Sequence, residues 1–334
     1  MNKMAEKLIY PYEIKNVTEE EDKLAKKYYK DYIRPFVRVG PHGYFWVAGF
    51  GDHAADIYNL EVRPDDIWVV SFSRSGTTWL QELVWLVAND LDYEGAASTS
   101  LTKRYAFIEY PTQASEIRKE EPSVNSHHRA TFDDFRNLHT LTSPRFIKTH
   151  LPLSLLPPKL LDTAKVLYIA RDPRDVAVSF HFMHKLFRYF DEGVTFEEFW
   201  ELFKKDLLLH MPIFPHIEEA WAKRDHQNMM FLFYEEMQKN LRSVIDKVSE
   251  FLGKEYTVEQ KEKLAEYLSF ENMKKLSGFK FGKSDNKDSE VTFMRKGKSG
   301  NWINYFNTDK MKKEVDEYFE KHMKNSDLRF PEIN

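Results

Sequence analysis

The chain of 334 residues contains no cysteine. That excludes disulfides and thiolate metal sites, and it suits a reducing compartment. No apolar run approaches the ~18 residues of a membrane span, and the opening stretch MNKMAEKLIYPYEIKNVTEEEDK is too polar for a signal peptide. A soluble, cytoplasmic protein is therefore expected, without a membrane partner. An excess of positive charge is also lacking: 49 basic residues stand against 53 acidic ones, a formal net charge of −4, with a pI of about 6.3. No global field draws such a chain to nucleic acid or anionic lipid, so any anion site must be local. Internal repeats, low-complexity tracts and Gly/Ser linkers are missing too, which points to a single domain over residues 1–334. What the chain has in quantity is apolar and aromatic surface. Its hydrophobic content is 42%, with 26 Phe, 17 Tyr and 7 Trp, enough for a large core and for an apolar ligand pocket.

Short β-branched or aromatic runs at Ile67 to Phe72, Arg145 to Lys148, Lys165 to Ala170 and Met229 to Tyr234 predict buried strands. Several are followed by helical periodicity. The implied class is α/β, a central parallel sheet with helices on both faces. Residues 1–60, with PHGYFWVAGFGDHA, suggest an irregular N-terminal arm. The polar stretch from Asp92 to Pro144 suggests a lid or binding loop in which a few helices are hidden.

The most informative segment is VVSFSRSGTTWLQEL, Val69 to Leu83. Leu80, Leu83, Val84 and Val87 recur at i, i+3, i+4 and i+7, which predicts a helix with one buried face. The turn Ser73-Arg74-Ser75-Gly76-Thr77-Thr78 then sits at a helix N-terminus. Unpaired N–H groups and the positive dipole end collect there, Gly76 permits close backbone approach, and Arg74 adds permanent charge. Such a turn binds an anion, most plausibly a nucleotide phosphate. An ordinary capped helix start would need one Ser or Thr, whereas this turn supplies several beside Gly and Arg.

Three further groups fall at strand ends, where an open parallel sheet places its ligands. Lys148-Thr149-His150 ends one strand; His150 is either a general base with Lys148 as a neutralising cation, or a capping or core histidine. In Arg171-Asp172-Pro173-Arg174-Asp175, Asp172 fits an N-cap and Pro173 the first helical position. Arg171 would project from the strand end, with Ser179 roughly 10 Å further along the helix. That segment reads equally as an anion site or as a salt-bridged helix start. The basic loop Phe293-Met294-Arg295-Lys296-Gly297-Lys298 is either a second phosphate clamp or simply solvated. No acidic cluster suggests a metal.

The ordered set SRSGTTW, KTHLP, RDPRDVAVSFHF, FLFYEEM, SFENM and FMRKGKSGNW, from about Val62 to Pro331, resembles the cytosolic sulfotransferases. Through LVWLVANDLDYE, KTHLPLSLLPP and EEAWAKR the chain is most similar to the insect branch that includes retinol dehydratase. The resemblance implies 3′-phosphoadenosine 5′-phosphosulfate (PAPS) as donor, PAP as product and no required metal. It implies that Arg74, Ser75, Gly76, Thr77 and Thr78 hold the phosphosulfate. Trp79, Tyr234, Ser269 and Phe270 would hold adenine, and Arg171, Ser179 and Phe293, Met294, Arg295, Lys296 and Gly297 the 3′-phosphate. His150 would be the base on a small apolar hydroxyl acceptor (a phenol, steroid or retinoid), with Lys148 stabilising the sulfuryl group. Phe180, Phe182 and aromatics in the Asp92 to Pro144 segment are candidates for the acceptor pocket. The chain departs from the family in Arg74 where Lys is usual, in Leu268 where Thr is common, and in lacking a legible dimer motif after Trp302, so a homodimer is an open expectation. A kinase or NTPase is disfavoured because GxxxxGK[ST] is missing. A nucleotide-binding protein without efficient catalysis and a retinol dehydratase-type reaction remain alternatives.

Overall fold

The structure is a computed structural model that describes residues 7–114, 133–191, 193–275 and 297–332. Parallel strands covered on both faces show as unbroken apolar runs. The four such runs in this chain form β4 (Ile67–Val70), β6 (Phe146–Thr149), β7 (Lys165–Ala170) and β8 (Met229–Phe233). With a two-residue edge strand, β5 (Ala106–Phe107), they make a five-stranded parallel sheet in the order β5-β6-β4-β7-β8. Val69 pairs with Lys148 and Leu167, and Val70 with Thr149 and Tyr168. The ends of β4 and β6 therefore lie level, β7 runs two residues further, and the turns that leave them share one edge of the sheet.

Alternation along the strands sorts side chains to two cores. Trp68, Val70, Ile147, Val166 and Tyr168 point to one layer, and Val69, Phe146, Leu167 and Ile169 to the other. The second layer is closed by the Thr77–Ala88 helix, whose Leu80, Leu83, Val84 and Val87 are all fully buried, as their spacing predicts. At about 1.5–3 kcal/mol for each fully buried aliphatic side chain, this face alone fixes the helix on the sheet.

The first 60 residues correct the expectation of an irregular arm. They contain β1 (Lys15–Asn16), β2 (Phe36–Val39) and β3 (Tyr44–Val47), an antiparallel sheet, followed by the Ala48–Tyr58 helix. Consecutive Tyr44, Phe45 and Trp46 are all fully buried, so the strand shows no alternation and the aromatic run hides it. The β3 backbone also exchanges hydrogen bonds with the chain near the site: Phe45 N–H donates to Met211 O (2.7 Å) and His210 N–H to Phe45 O (3.0 Å). Between Asp92 and Pro144 the described residues form short helices at Tyr93–Ser98, Leu101–Arg104 and Tyr110–Ala114, together with β5. Among the described residues no helix is long and apolar enough to cross a membrane.

Candidate active site

The turn after β4 opens a helix without a side-chain cap. Gly76 is the N-cap of the Thr77–Ala88 helix with φ 102° and ψ 14°, and no side chain caps that helix start. Its first N–H groups therefore point outward without an intrahelical acceptor, at the positive end of the dipole. Arg74 also takes a left-handed conformation (φ 69°). The Ser75 hydroxyl is buried with no hydrogen-bond partner among the described residues, an arrangement that costs stability unless a ligand completes it. A Cβ at Gly76 would come within 2.6 Å of the Tyr234 ring, so the backbone here packs against an aromatic wall.

Arg171, Ser179 and Tyr234 join this turn. Arg74 Nε donates to the Ser179 hydroxyl at 3.0 Å, and Arg171 Nη1 reaches Arg74 O at 3.5 Å. The Arg171 guanidinium lies 4.3 Å over the Tyr234 ring, which meets Trp79 edge-on at 5.7 Å. Arg171 Nε is buried without a partner among the described residues, so a donor is left for a ligand. The RDPRD segment forms the salt-bridged helix start and leaves Arg171 apart from it. Asp172 caps the Pro173–Leu186 helix and pairs with Arg174 (2.6 Å), while Arg171 stays out of that pair and contacts Lys298 O (3.3 Å).

Phe293, Met294, Arg295 and Lys296 lie outside the described residues. The downstream end of their loop is tied down by two side chains that the sequence did not single out for this role. Gln238 donates to Gly297 O (2.7 Å) and accepts from Ser299 N–H (3.0 Å). Asp175 accepts from Gly300 N–H (2.6 Å) and Trp302 N–H (3.1 Å). Gly297 (φ 61°) lies directly on Phe270, where a Cβ would run into the ring. Ser269 sits half-buried just before the Phe270–Lys275 helix. The Leu268 side chain is buried in the core, and its carbonyl accepts the Trp79 indole N–H (2.9 Å), so main chain supplies a polar contact here.

Lys148, Thr149 and His150 leave β6 beside that turn. His150 Nδ1 donates to Ser71 O at 2.9 Å, which fixes the neutral tautomer and leaves the lone pair on Nε2. The Ser71 hydroxyl is 2.6 Å from that of Thr77, so one residue joins the imidazole to the anion turn. Burial first, then the Lys148 charge, holds the imidazole well below the usual histidine range. Lys148 Nζ lies 4.0 Å over the Phe107 ring. Burial pushes its ammonium down to about 8, with Glu109 opposing the shift and Arg74 adding to it.

Three buried residues near His150 carried no signal in the sequence. Glu109 accepts from the His150 N–H, His216 Nε2 donates to His150 O (3.0 Å), and His210 stacks on the His150 ring at 5.6 Å while bonding Ser73 through Nδ1 (2.9 Å). Isolated histidines and one acidic residue in an irregular stretch have no period to mark them. Phe180 corrects the pocket assignment: it is 1% exposed and packs into the core against Phe72, His184 and Phe199. Phe182 packs edge-on against Tyr305. Among the described residues no group of three or more His, Cys, Asp or Glu is arranged to hold a metal ion.

A family model described as "Sulfotransferase domain" matches residues 64–327. The chain is 32% identical over 290 residues to sulfotransferase 1 family member D1 of Mus musculus, covering 86% of this chain and 92% of that one. It is 34% identical over 263 residues to the luciferin sulfotransferase of Photinus pyralis, covering 77% and 70% respectively. Among solved structures, retinol dehydratase with androsterone and the inactive cofactor PAP is similar at 37% identity and a TM-score of 0.85, covering 98% of this chain and 100% of that one. Retinol dehydratase with retinol and PAP matches at 36% identity and a TM-score of 0.85, covering 97% and 100%.

Proposed function

Because the chain belongs to the sulfotransferase family, we propose that it moves a sulfuryl group from PAPS to the hydroxyl of a small apolar acceptor, with His150 as general base. One observation carries the reading: Ser71 ties an uncapped helix start to an imidazole whose Nε2 lone pair is free of the tautomer-fixing bond. The orphaned Ser75 hydroxyl and Arg171 Nε fit a nucleotide that carries phosphate at two positions.

The chemistry divides among these residues. His150 Nε2 takes the proton as the acceptor oxygen bonds to sulfur, and the bond from sulfur to the phosphate oxygen breaks. Lys148 and Arg74 offset charge on the sulfuryl group and on the departing phosphate, most effectively where water is excluded. Arg74 keeps this electrostatic role but retains its proton, so it serves as a fixed cation and not as an acid. Trp79, Tyr234, Ser269 and Phe270 would bracket the base. Arg171, Ser179 and the Phe293-Met294-Arg295-Lys296-Gly297 loop would select the 3′-phosphate that ATP lacks. The absence of cysteine supports a cytosolic location.

The likeness to retinol dehydratase over nearly the whole chain favours a second reading, in which an allylic alcohol is sulfated and then loses sulfate and a proton from carbon to give a polyene. Labelled PAPS offered with a panel of phenols, steroids and retinol, followed by product mass analysis, tests both. Sulfate esters support transfer, and a dehydrated product from retinol supports the second reading. Tight PAP binding without transfer to any acceptor would reduce the protein to a nucleotide binder. Within that assay His150→Ala should lose about 10²–10⁴ in kcat at little cost to PAP affinity; ordinary turnover would refute the base assignment.

A further inference from the structure

We propose that Glu109 is a positioning residue for the transfer step, its carboxylate holding Thr149 and the His150 peptide so that base and neighbouring cation share one fixed frame. The inference rests on the reading of His150 and Lys148 given above. Glu109 follows β5 and is completely buried, where a carboxylate without partners would be costly. Both of its oxygens are used. Oε1 accepts from the His150 main-chain N–H at 2.5 Å, and Oε2 accepts from the Thr149 hydroxyl at 2.8 Å. That hydroxyl in turn accepts from Leu151 N–H at 3.0 Å. One carboxylate thus organises three consecutive residues at the point where β6 gives way to the site.

The remaining freedom of His150 is removed from other directions. His216 Nε2–H holds its carbonyl, the Ser71 carbonyl holds Nδ1, and the Phe107 ring meets the imidazole edge-on at 5.5 Å. Phe107 also supports Lys148 Nζ through its face. The short edge strand therefore contributes an aromatic floor through Phe107 and a carboxylate clamp just after it. Catalytic groups need placement within about 0.5 Å, which side-chain packing alone seldom gives and supporting hydrogen bonds do. Glu109 also acts on Lys148 through its charge, favouring the ammonium form against burial.

Glu109→Gln tests this with little change of shape. Its carbonyl oxygen can still face the His150 N–H and its amide the Thr149 oxygen, but the charge and one strong acceptor are gone. Expected are a fall in kcat of about 10- to 100-fold, an acceptor KM and PAP Kd within about threefold, and a near-native Tm. Glu109→Ala should lose more activity. The alkaline limb of kcat/KM should move to lower pH in Glu109→Gln, because the other groups acting on Lys148 (Arg74 and the His150 and His210 rings) are unchanged and none of them replaces the carboxylate. A merely structural glutamate would lower Tm instead of separating kcat from KM. Wild-type turnover with an unmoved limb in Glu109→Gln would overturn the proposal.

A readout independent of turnover is the ¹⁵N spectrum of the His150 ring with PAP bound. Wild type should show sharp resonances of the Nδ1–H tautomer, and Glu109→Gln the same tautomer with broadened ring resonances. If wild type sulfates no acceptor, the functional reading fails and the ring resonances alone decide the role of Glu109: identical line widths in both proteins would overturn it. If Glu109→Ala does not fold, the folded Gln variant carries the test.

Discussion

Gly76→Ala probes the anion turn at its tightest point. At φ 102° and ψ 14° the residue occupies backbone space that L side chains rarely enter, at a cost of about 1–3 kcal/mol. The new Cβ would also lie 2.6 Å from Tyr234 Cδ2 and 3.2 Å from Ile169 Cδ1. The tyrosine cannot yield without disturbing its neighbours, because Arg171 stacks on it at 4.3 Å and Trp79 meets it at 5.7 Å. Overpacking of this kind adds about 1–2 kcal/mol, for a total of about 2–5 kcal/mol. At about 2–4 °C per kcal/mol for a large domain, Tm should fall by roughly 4–20 °C. Because the same shift tilts the helix start and Arg171, PAP affinity should drop at least tenfold. At a PAP concentration about 100 times the wild-type Kd, ligand stabilisation should then shrink from about 2.7 to about 1.4 kcal/mol. Scanning fluorimetry with and without PAP, supported by calorimetric titration, reads both quantities. A variant with wild-type Tm would refute the strain argument. A lowered Tm with unchanged PAP affinity would instead refute the assignment of this turn to phosphate.

Other expectations concern charge and the loop. kcat/KM should decline above about pH 8 as the Lys148 ammonium loses its proton, and Lys148→Arg should abolish that limb because guanidinium stays charged; an unmoved limb would place it on another group. Burial lowers His181 and His184 to about 3 in the folded chain, so between that value and the ordinary histidine range the unfolded state binds more protons and stability is lost as pH falls. From pH 7.5 to 5.5 each should cost on the order of 1 kcal/mol, measurable in urea titrations, and a flat profile would contradict the burial argument. Asp175→Ala removes two charge-assisted bonds to the Gly300 and Trp302 amides, so PAP affinity should fall about tenfold while acceptor KM changes little; equal effects on both would mean a general loss of structure.

Much of the fold was legible because its signals are local. The runs that became β4, β6, β7 and β8 are continuous and apolar, and the Leu80, Leu83, Val84 and Val87 stripe shows a full helical period. β5 could not be seen, since two residues have no period, and with it Glu109 escaped notice. β3 was misread because Tyr44, Phe45 and Trp46 are buried on both sides and hide the alternation that marks a strand. Of the candidate site, Arg74, Gly76, Trp79, Arg171, Ser179, Tyr234 and Phe270 form one network of contacts with the end of the Gly297 loop. The charge at Asp175 was noted as part of a helix start, but its long-range partners are set by tertiary structure and leave no local trace.

Ser71 gives the site a thermodynamic property beyond its geometry. Its carbonyl anchors the His150 ring and its hydroxyl anchors Thr77, so under the proposed function an acceptor at His150 and a nucleotide at Thr77 would act on the same residue. Whatever factor bound nucleotide then applied to acceptor affinity, bound acceptor would apply to nucleotide affinity in equal measure. The two binding equilibria would thus be joined through one serine at the end of the central strand.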